Sequence, residues 1–168
     1  MVPKRLEETI NLLQELNDGD LHNLGDKILR ERFTDLSRLI PHGINEEGKS
    51  IGGQPDSYVG NSPTSCTIGV QYTAKKAKLA AKLYDDYREA RDISTFIRKV
   101  YLCTNRPIKK LNLSTLKAQA RTDNIELVFI GGELLSQVLC DERQDLRNEY
   151  LRIAINAHTI ESLIPCYS

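Results

Sequence analysis

Strict alternation around Ile68–Thr73 limits the possible folds more than any other feature of this chain. Ile68, Val70 and Tyr72 alternate with Thr67, Gly69, Gln71 and Thr73, and a strand sends successive side chains to opposite faces. The spacing therefore predicts a strand over Thr64–Thr73 with one apolar face toward a core and one small, polar face toward something else. The segment after it, Ala74 to about Arg91, is rich in Ala, Lys and Leu and predicts a long helix. Ile97–Thr104 and Ile125–Ile130 predict two further strands. Between them lies a helix capped by Asn112 or Ser114 and running to about Arg121. Gly131-Gly132 predicts a tight strand-to-helix turn into a helix over Glu133–Leu139, and a last helix is expected from Asp141 to Ile155.

The N-terminal half reads differently. Leu6, Ile10, Leu13 and Leu16 predict a helix over Pro3–Leu16, and Asp20 is expected to cap a second helix ending near Arg32. Leu36–Ile40 and Pro55–Val59 read as short strands. They flank Gly43–Gln54, a loop with four glycines. The order of elements implies an α/β fold, with a mixed central sheet of about five strands flanked by helices. The two late strands, joined through a helix, should pair in parallel or lie as near neighbours.

Composition narrows the function classes. The 168 residues carry 23 Lys+Arg and 23 Asp+Glu, a formal net charge of +0, so nucleic acid can be drawn only to a local patch. No apolar run approaches the ~20 residues of a membrane span. The charged N-terminus has no signal-peptide core, which points to the cytoplasm and to no membrane partner. Cys66, Cys103, Cys140 and Cys166 form no CxxC pair and are expected to be reduced, the first three as small buried hydrophobes. Tyr72, Tyr84, Tyr87 and Tyr101 are expected in the core rather than stacked on bases, with aromatic residues at only 6%.

The chemistry is concentrated in Gly52-Gly53-Gln54-Pro55-Asp56, in Gly69–Thr73, and in Lys75, Lys76, Lys78 and Lys82. A carboxylate at one strand edge, opposite the polar pair Gln71 and Thr73 on its neighbour, can hold a hard cation such as Mg²⁺. A lysine beside it can orient water or offset phosphate charge. On a helix beginning at Ala74, Lys75, Lys78 and Lys82 would share one face. The competing readings are structural: Asp56 as a turn residue, Gln71 on a half-solvated face, the lysines as a solvated helix face, and His22 as a packed histidine. No Ser or Thr hydroxyl has the adjacent His-plus-acid pattern of a nucleophilic triad.

These residues resemble the PD-(D/E)XK, restriction-endonuclease-like nucleases. Pro55-Asp56 matches the first half of that motif, Gln71 stands where Glu is usual, and Thr73 stands where Lys is usual. Gln at that position is known in the branch related to methylated-DNA restriction enzymes. In several branches the lysine has moved to the next helix, which implies Lys82 or Lys78. The family's polar position on its first core helix falls on His22, with Asp26 one turn on. Leu21–Leu29, His42-Gly43-Ile44-Asn45, Gly53–Gly60, Tyr84–Ala90 and Gln144-Asp145-Leu146-Arg147 look like one bacterial branch. There the nuclease-like domain precedes a large signal-transducing ATPase of the STAND (NACHT-like) class acting in antiviral defence.

The resemblance covers about residues 20–155. It implies a restriction-endonuclease-like core, residues 1–19 as a helical extension, and a chain (1–168) that is an effector domain excised from a larger protein. It implies a Mg²⁺- or Mn²⁺-dependent endodeoxyribonuclease that cuts double-stranded DNA with little sequence specificity. Asp56, Gln71, Lys82, Lys78 and His22 would be catalytic, Asp56, Gln71 and Asp26 would surround the ion, and Lys75, Lys76 and Lys78 would contact DNA. Its partners would be the ATPase and sensor portion of the same protein and further copies of itself when activated. The absence of Glu at 71 and Lys at 73 favours the rival expectation, a catalytically degenerate fold that binds or oligomerises.

Overall fold

A five-stranded mixed sheet forms the centre of the computed structural model, which describes residues 4–42 and 55–156. The strands are β1 (Ile40–Pro41), β2 (Ser57–Val59), β3 (Ile68–Thr73), β4 (Lys99–Thr104) and β5 (Glu126–Ile130), and they lie side by side in chain order. The β1–β2 and β2–β3 pairs are antiparallel, whereas β3–β4 and β4–β5 are parallel. The helices are α1 (Lys4–Leu13), α2 (Asp18–Arg32), α3 (Leu79–Ile93), α4 (Ser114–Thr122), α5 (Gly132–Asp141) and α6 (Gln144–Asn156). The mixed α/β architecture expected from the element order is the one observed.

Parallel pairing requires a crossover, and α3 and α4 supply the two crossovers of this sheet. Leu79, Leu83, Tyr87 and Ala90 of α3 and Leu116 and Ala120 of α4 pack with Val100 and Leu102 on one face. On the other face, Leu21, Leu24 and Ile28 of α2 and Leu135 and Leu139 of α5 pack with Val70, Tyr72, Tyr101 and Cys103. Helix α1 belongs to this second core: Leu13 is buried there, and buried Asn105 donates to the Leu13 and Leu16 carbonyls at 3.0 and 3.1 Å. The N-terminal segment is thus packed into the fold. Both faces of β3 are covered, so its polar face meets α3 rather than solvent.

Four local expectations are corrected. The N-cap of α2 is Asn17, whose side chain accepts from the Asp20 N–H at 2.8 Å; Asp20 sits in the first turn. Leu36–Ile40 is not a strand: Thr34–Leu36 is a 3-10 turn and only Ile40–Pro41 pairs. Leu36 and Leu39 are both buried, a spacing of three that a turn satisfies and an alternating strand does not. The strand expected to begin at Thr64 begins at Ile68. The helix expected from Ala74 begins at Leu79, because side chains capture the backbone first. Asp18 accepts from the Ala74 N–H at 2.8 Å and Thr73 Oγ1 from the Lys75 N–H at 3.2 Å. Lys78 then turns the chain in the left-handed region, φ 54°. Lys75, Lys76 and Lys78 consequently sit on an exposed loop and not on a helix face with Lys82.

The Gly131-Gly132 turn is observed as expected. A Cβ on Gly132 would lie 2.8 Å from the Asn105 carbonyl oxygen, and the Gly132 N–H donates to the Arg106 carbonyl. That helix start is closed by the protein's own backbone. Cys66, Cys103 and Cys140 are buried and free, whereas Cys166 and the Gly43–Gln54 loop lie outside the described residues. Among the described residues no helix is long and apolar enough to cross a membrane.

Candidate functional site

Register places Asp56 beside Gln71. Ser57 pairs with Val70, so one step back along the antiparallel ladder Asp56 falls opposite Gln71. The Asp56 N–H donates to Gln71 Oε1 at 2.9 Å, and its carbonyl accepts from the His42 N–H at 2.7 Å. Its carboxylate oxygen Oδ2 accepts from the Tyr72 N–H at 2.7 Å. Backbone and side chain are therefore both held, which fixes the direction of the carboxylate. Burial pushes its pKa up to about 6, although the Tyr72 N–H and the charges of His22 and Lys82 pull the other way.

Two groups from α3 complete this side. Gln71 Nε2 donates to the Asp86 main-chain carbonyl at 3.0 Å, so the Gln71 amide bridges Asp56 and the middle of α3. Lys82, one turn earlier, forms an ion pair with Asp86 Oδ1. Burial alone would lower the Lys82 pKa, but the Asp86 carboxylate outweighs it and the net shift is upward, with Asp56 adding to it. Asp86 is only 3% exposed, and its Oδ2 has no hydrogen-bond partner among the described residues. Burial raises Asp86 to about 6 against the pull of Lys82, and the charge of Asp56 raises it further. Of the expected residues, Asp56 and Gln71 are in contact, Lys82 is linked to Gln71 through Asp86, and the charges of both His22 and Lys82 act on Asp56.

His22 and Asp26 project from α2, a separate helix that packs beside β3. His22 Nε2 meets Ser57 Oγ at 2.6 Å, and Ser57 Oγ lies 2.9 and 2.8 Å from the two Asp26 oxygens. The Tyr72 hydroxyl donates to Asp26 Oδ1, and the His22 ring stacks on Tyr72 at 4.7 Å. His22, Asp26 and Ser57 are each at most 3% exposed. The residue types of a Ser-His-Asp triad meet here without its geometry. The carboxylate faces the serine and the same ring nitrogen, so it does not orient the histidine from behind, and Ser57 spends its one proton on Asp26. Asp26 is thereby engaged by four protein groups, counting Arg30 at 3.9 Å. Gly25 makes room for this arrangement, since a Cβ there would collide with the Tyr72 ring.

Lys75, Lys76 and Lys78 are exposed on the loop that leads from β3 to α3 and hold no ion pair among the described residues. Asp86 and Ser57 were not singled out from sequence. Asp86 reads there as half of a solvated i, i+4 pair with Lys82, and only the depth of α3 against β3 reveals it as buried. Among the described residues, one surface depression lies beside Tyr84 and Leu113 between α3 and α4.

The donor set around Asp56 suits a hard cation. Among the described residues no group of three or more His, Cys, Asp or Glu is placed to hold a metal alone. Mg²⁺ does not require one, because it is commonly held by one or two carboxylates and keeps several waters. Asp56 and the Gln71 amide oxygen are donors of that type, and half-buried Asp56 lies beside buried Asp86, whose carboxylate is paired with Lys82. Comparison with protein-family models and with curated proteins finds no match to this chain.

Proposed function

We propose that this chain is a metal-dependent phosphodiesterase acting on DNA, of the PD-(D/E)XK, restriction-endonuclease-like kind, with its reacting centre at Asp56, Gln71 and Lys82. The observation that carries the reading is the bridge of Gln71 between Asp56 and α3 with Lys82 beside it. Asp56 and Gln71 would hold Mg²⁺ or Mn²⁺, which when bound supplies charge neutralisation at the scissile phosphate. Lys82 would orient the attacking water or offset charge on the phosphate as it develops. Lys75, Lys76 and Lys78 would meet the DNA backbone without reading bases, which suits a chain with zero net charge and weak, sequence-indifferent contact. Lys78 is the alternative bearer of the motif lysine. His22 and Asp26, both buried, would support β2 from the α2 side.

An effector domain of a bacterial defence ATPase fits this chemistry, since copies assembled by the ATPase portion would add their weak contacts together. Such a protein would work in the cytoplasm. One observation favours a non-cutting module instead: the Gln71 amide is bonded at both ends and Lys82 is already paired with Asp86. Supercoiled plasmid incubated with Mg²⁺ or Mn²⁺ separates the readings, using the chain alone and an enforced oligomer. The expected result is nicking by the parent and its loss, by at least ~100-fold, in Asp56→Ala. Cleavage that persists in Asp56→Ala rejects this centre, and absence of both cleavage and Mn²⁺ binding by calorimetry supports the non-cutting module.

A further inference from the structure

Asp86 is a costly residue with no evident structural return. A buried carboxylate oxygen without a partner loses its hydration and recovers nothing. The Lys82–Asp86 pair does not redeem the cost, because apolar replacements of buried ion pairs are often neutral or stabilising. Nor is it a solvated helix pair: Asp86 is 3% exposed, while the Lys82 side chain is 33% exposed and reaches inward from the first turn of α3. What the residue does accomplish is geometric. Its side chain fixes the Lys82 ammonium, and its main-chain carbonyl takes Gln71 Nε2, which leaves Gln71 Oε1 facing Asp56.

We infer that Asp86 is a positioning residue, holding the Lys82 ammonium at the β2–β3 edge where Asp56 and Gln71 meet. The inference deepens the phosphodiesterase reading and rests on it only in calling that edge a reacting centre. Substituting the side chain leaves the main-chain bond to Gln71 in place, so Asp86→Asn tests the hold on Lys82 alone.

The test is competitive acylation of the full chain with acetic anhydride, with each lysine's rate read by mass spectrometry. In the parent, Lys82 should react severalfold more slowly than Lys76. In Asp86→Asn it should approach the Lys76 rate, and Asp86→Glu should restore slow reaction. Lys82 reacting as fast as Lys76 in the parent, or keeping its slow rate in Asp86→Asn, overturns the inference. If Asp86→Asn fails to melt cooperatively, the parent ratio and Asp86→Glu decide between the same two outcomes. Plasmid cleavage is followed on the same samples, with a fall in kcat at little-changed KM expected in Asp86→Asn. A parent that cuts nothing rejects the phosphodiesterase reading while the acylation rates still decide the role of Asp86.

Discussion

The two polar clusters flanking the β2–β3 pair are built from similar residues and differ in how completely they are satisfied. On the α2 side, His22, Asp26, Ser57 and Tyr72 close on one another, and the buried groups find partners within the cluster. On the α3 side, the Lys82 ammonium pairs with Asp86 alone, one Asp86 oxygen has no partner among the described residues, and burial pushes both Asp56 and Asp86 up to about 6. A closed network specifies a unique packing; an open one stores unfavourable electrostatics that a ligand can relieve. The contrast supports the proposal that the reacting centre lies on the α3 side, while the α2 side holds the packing.

Removing the centre of the closed cluster should have the largest effect on stability. Asp26→Ala strips partners from Ser57, Tyr72 and His22 at once and should cost about 3–5 kcal/mol. Urea denaturation checks this. A loss of under ~1 kcal/mol would place Asp26 among solvated groups and erase the contrast.

The open side should show itself through pH. The Asp86 carboxyl is raised by burial, then by Asp56 and Glu89, while Lys82 opposes them. Asp56 is raised by burial and by Asp18, and opposed by the Tyr72 N–H, His22 and Lys82. A carboxyl with a raised folded pKa binds more protons folded than unfolded between about 4 and 6. Stability should therefore fall as pH rises through that window, by on the order of 2–3 kcal/mol for Asp86. Asp86→Asn should flatten the decline measured by urea midpoints, and a decline unchanged in that variant would place its origin elsewhere.

Packing between the clusters gives a smaller effect. Tyr72 carries the closed network on its ring while its backbone N–H holds Asp56 on the open side. Gly25→Ala pushes on that ring and should cost ~1–3 kcal/mol, the usual penalty of overpacking. If the clusters communicate through Tyr72, the variant should also weaken Mn²⁺ binding by calorimetry.

How much of this was legible in the sequence follows from the range of the forces involved. The alternation of Ile68, Val70 and Tyr72 and the apolar run at Ile125–Ile130 announced their strands, because burial there repeats with the period of the backbone. Side-chain capture of backbone N–H groups was not legible: Asp18 and Ala74 lie 56 residues apart, and their bond delays α3 to Leu79. The pairing of Asp56 with Gln71 could be anticipated from strand register. The burial of Asp86 could not, since its spacing from Lys82 reads as a solvated pair until α3 is laid on β3.

The smallest effect separates the function of the lysine loop from its fold. Lys78 occupies the left-handed region, where a residue with a Cβ is strained by roughly 1 kcal/mol and glycine is not. Lys78→Gly should stabilise the chain by a few tenths to ~1 kcal/mol in urea denaturation, less the entropy glycine loses on folding. If the loop meets phosphates, the same change should weaken DNA binding and reduce the salt slope by about one counterion. The two measurements thus move in opposite directions, because the residue that suits the backbone is not the one that suits a polyanion. A variant that is more stable with an unaltered salt slope would mean that Lys78 faces only water, and would confine the chemistry of the open side to Asp56, Gln71 and Lys82.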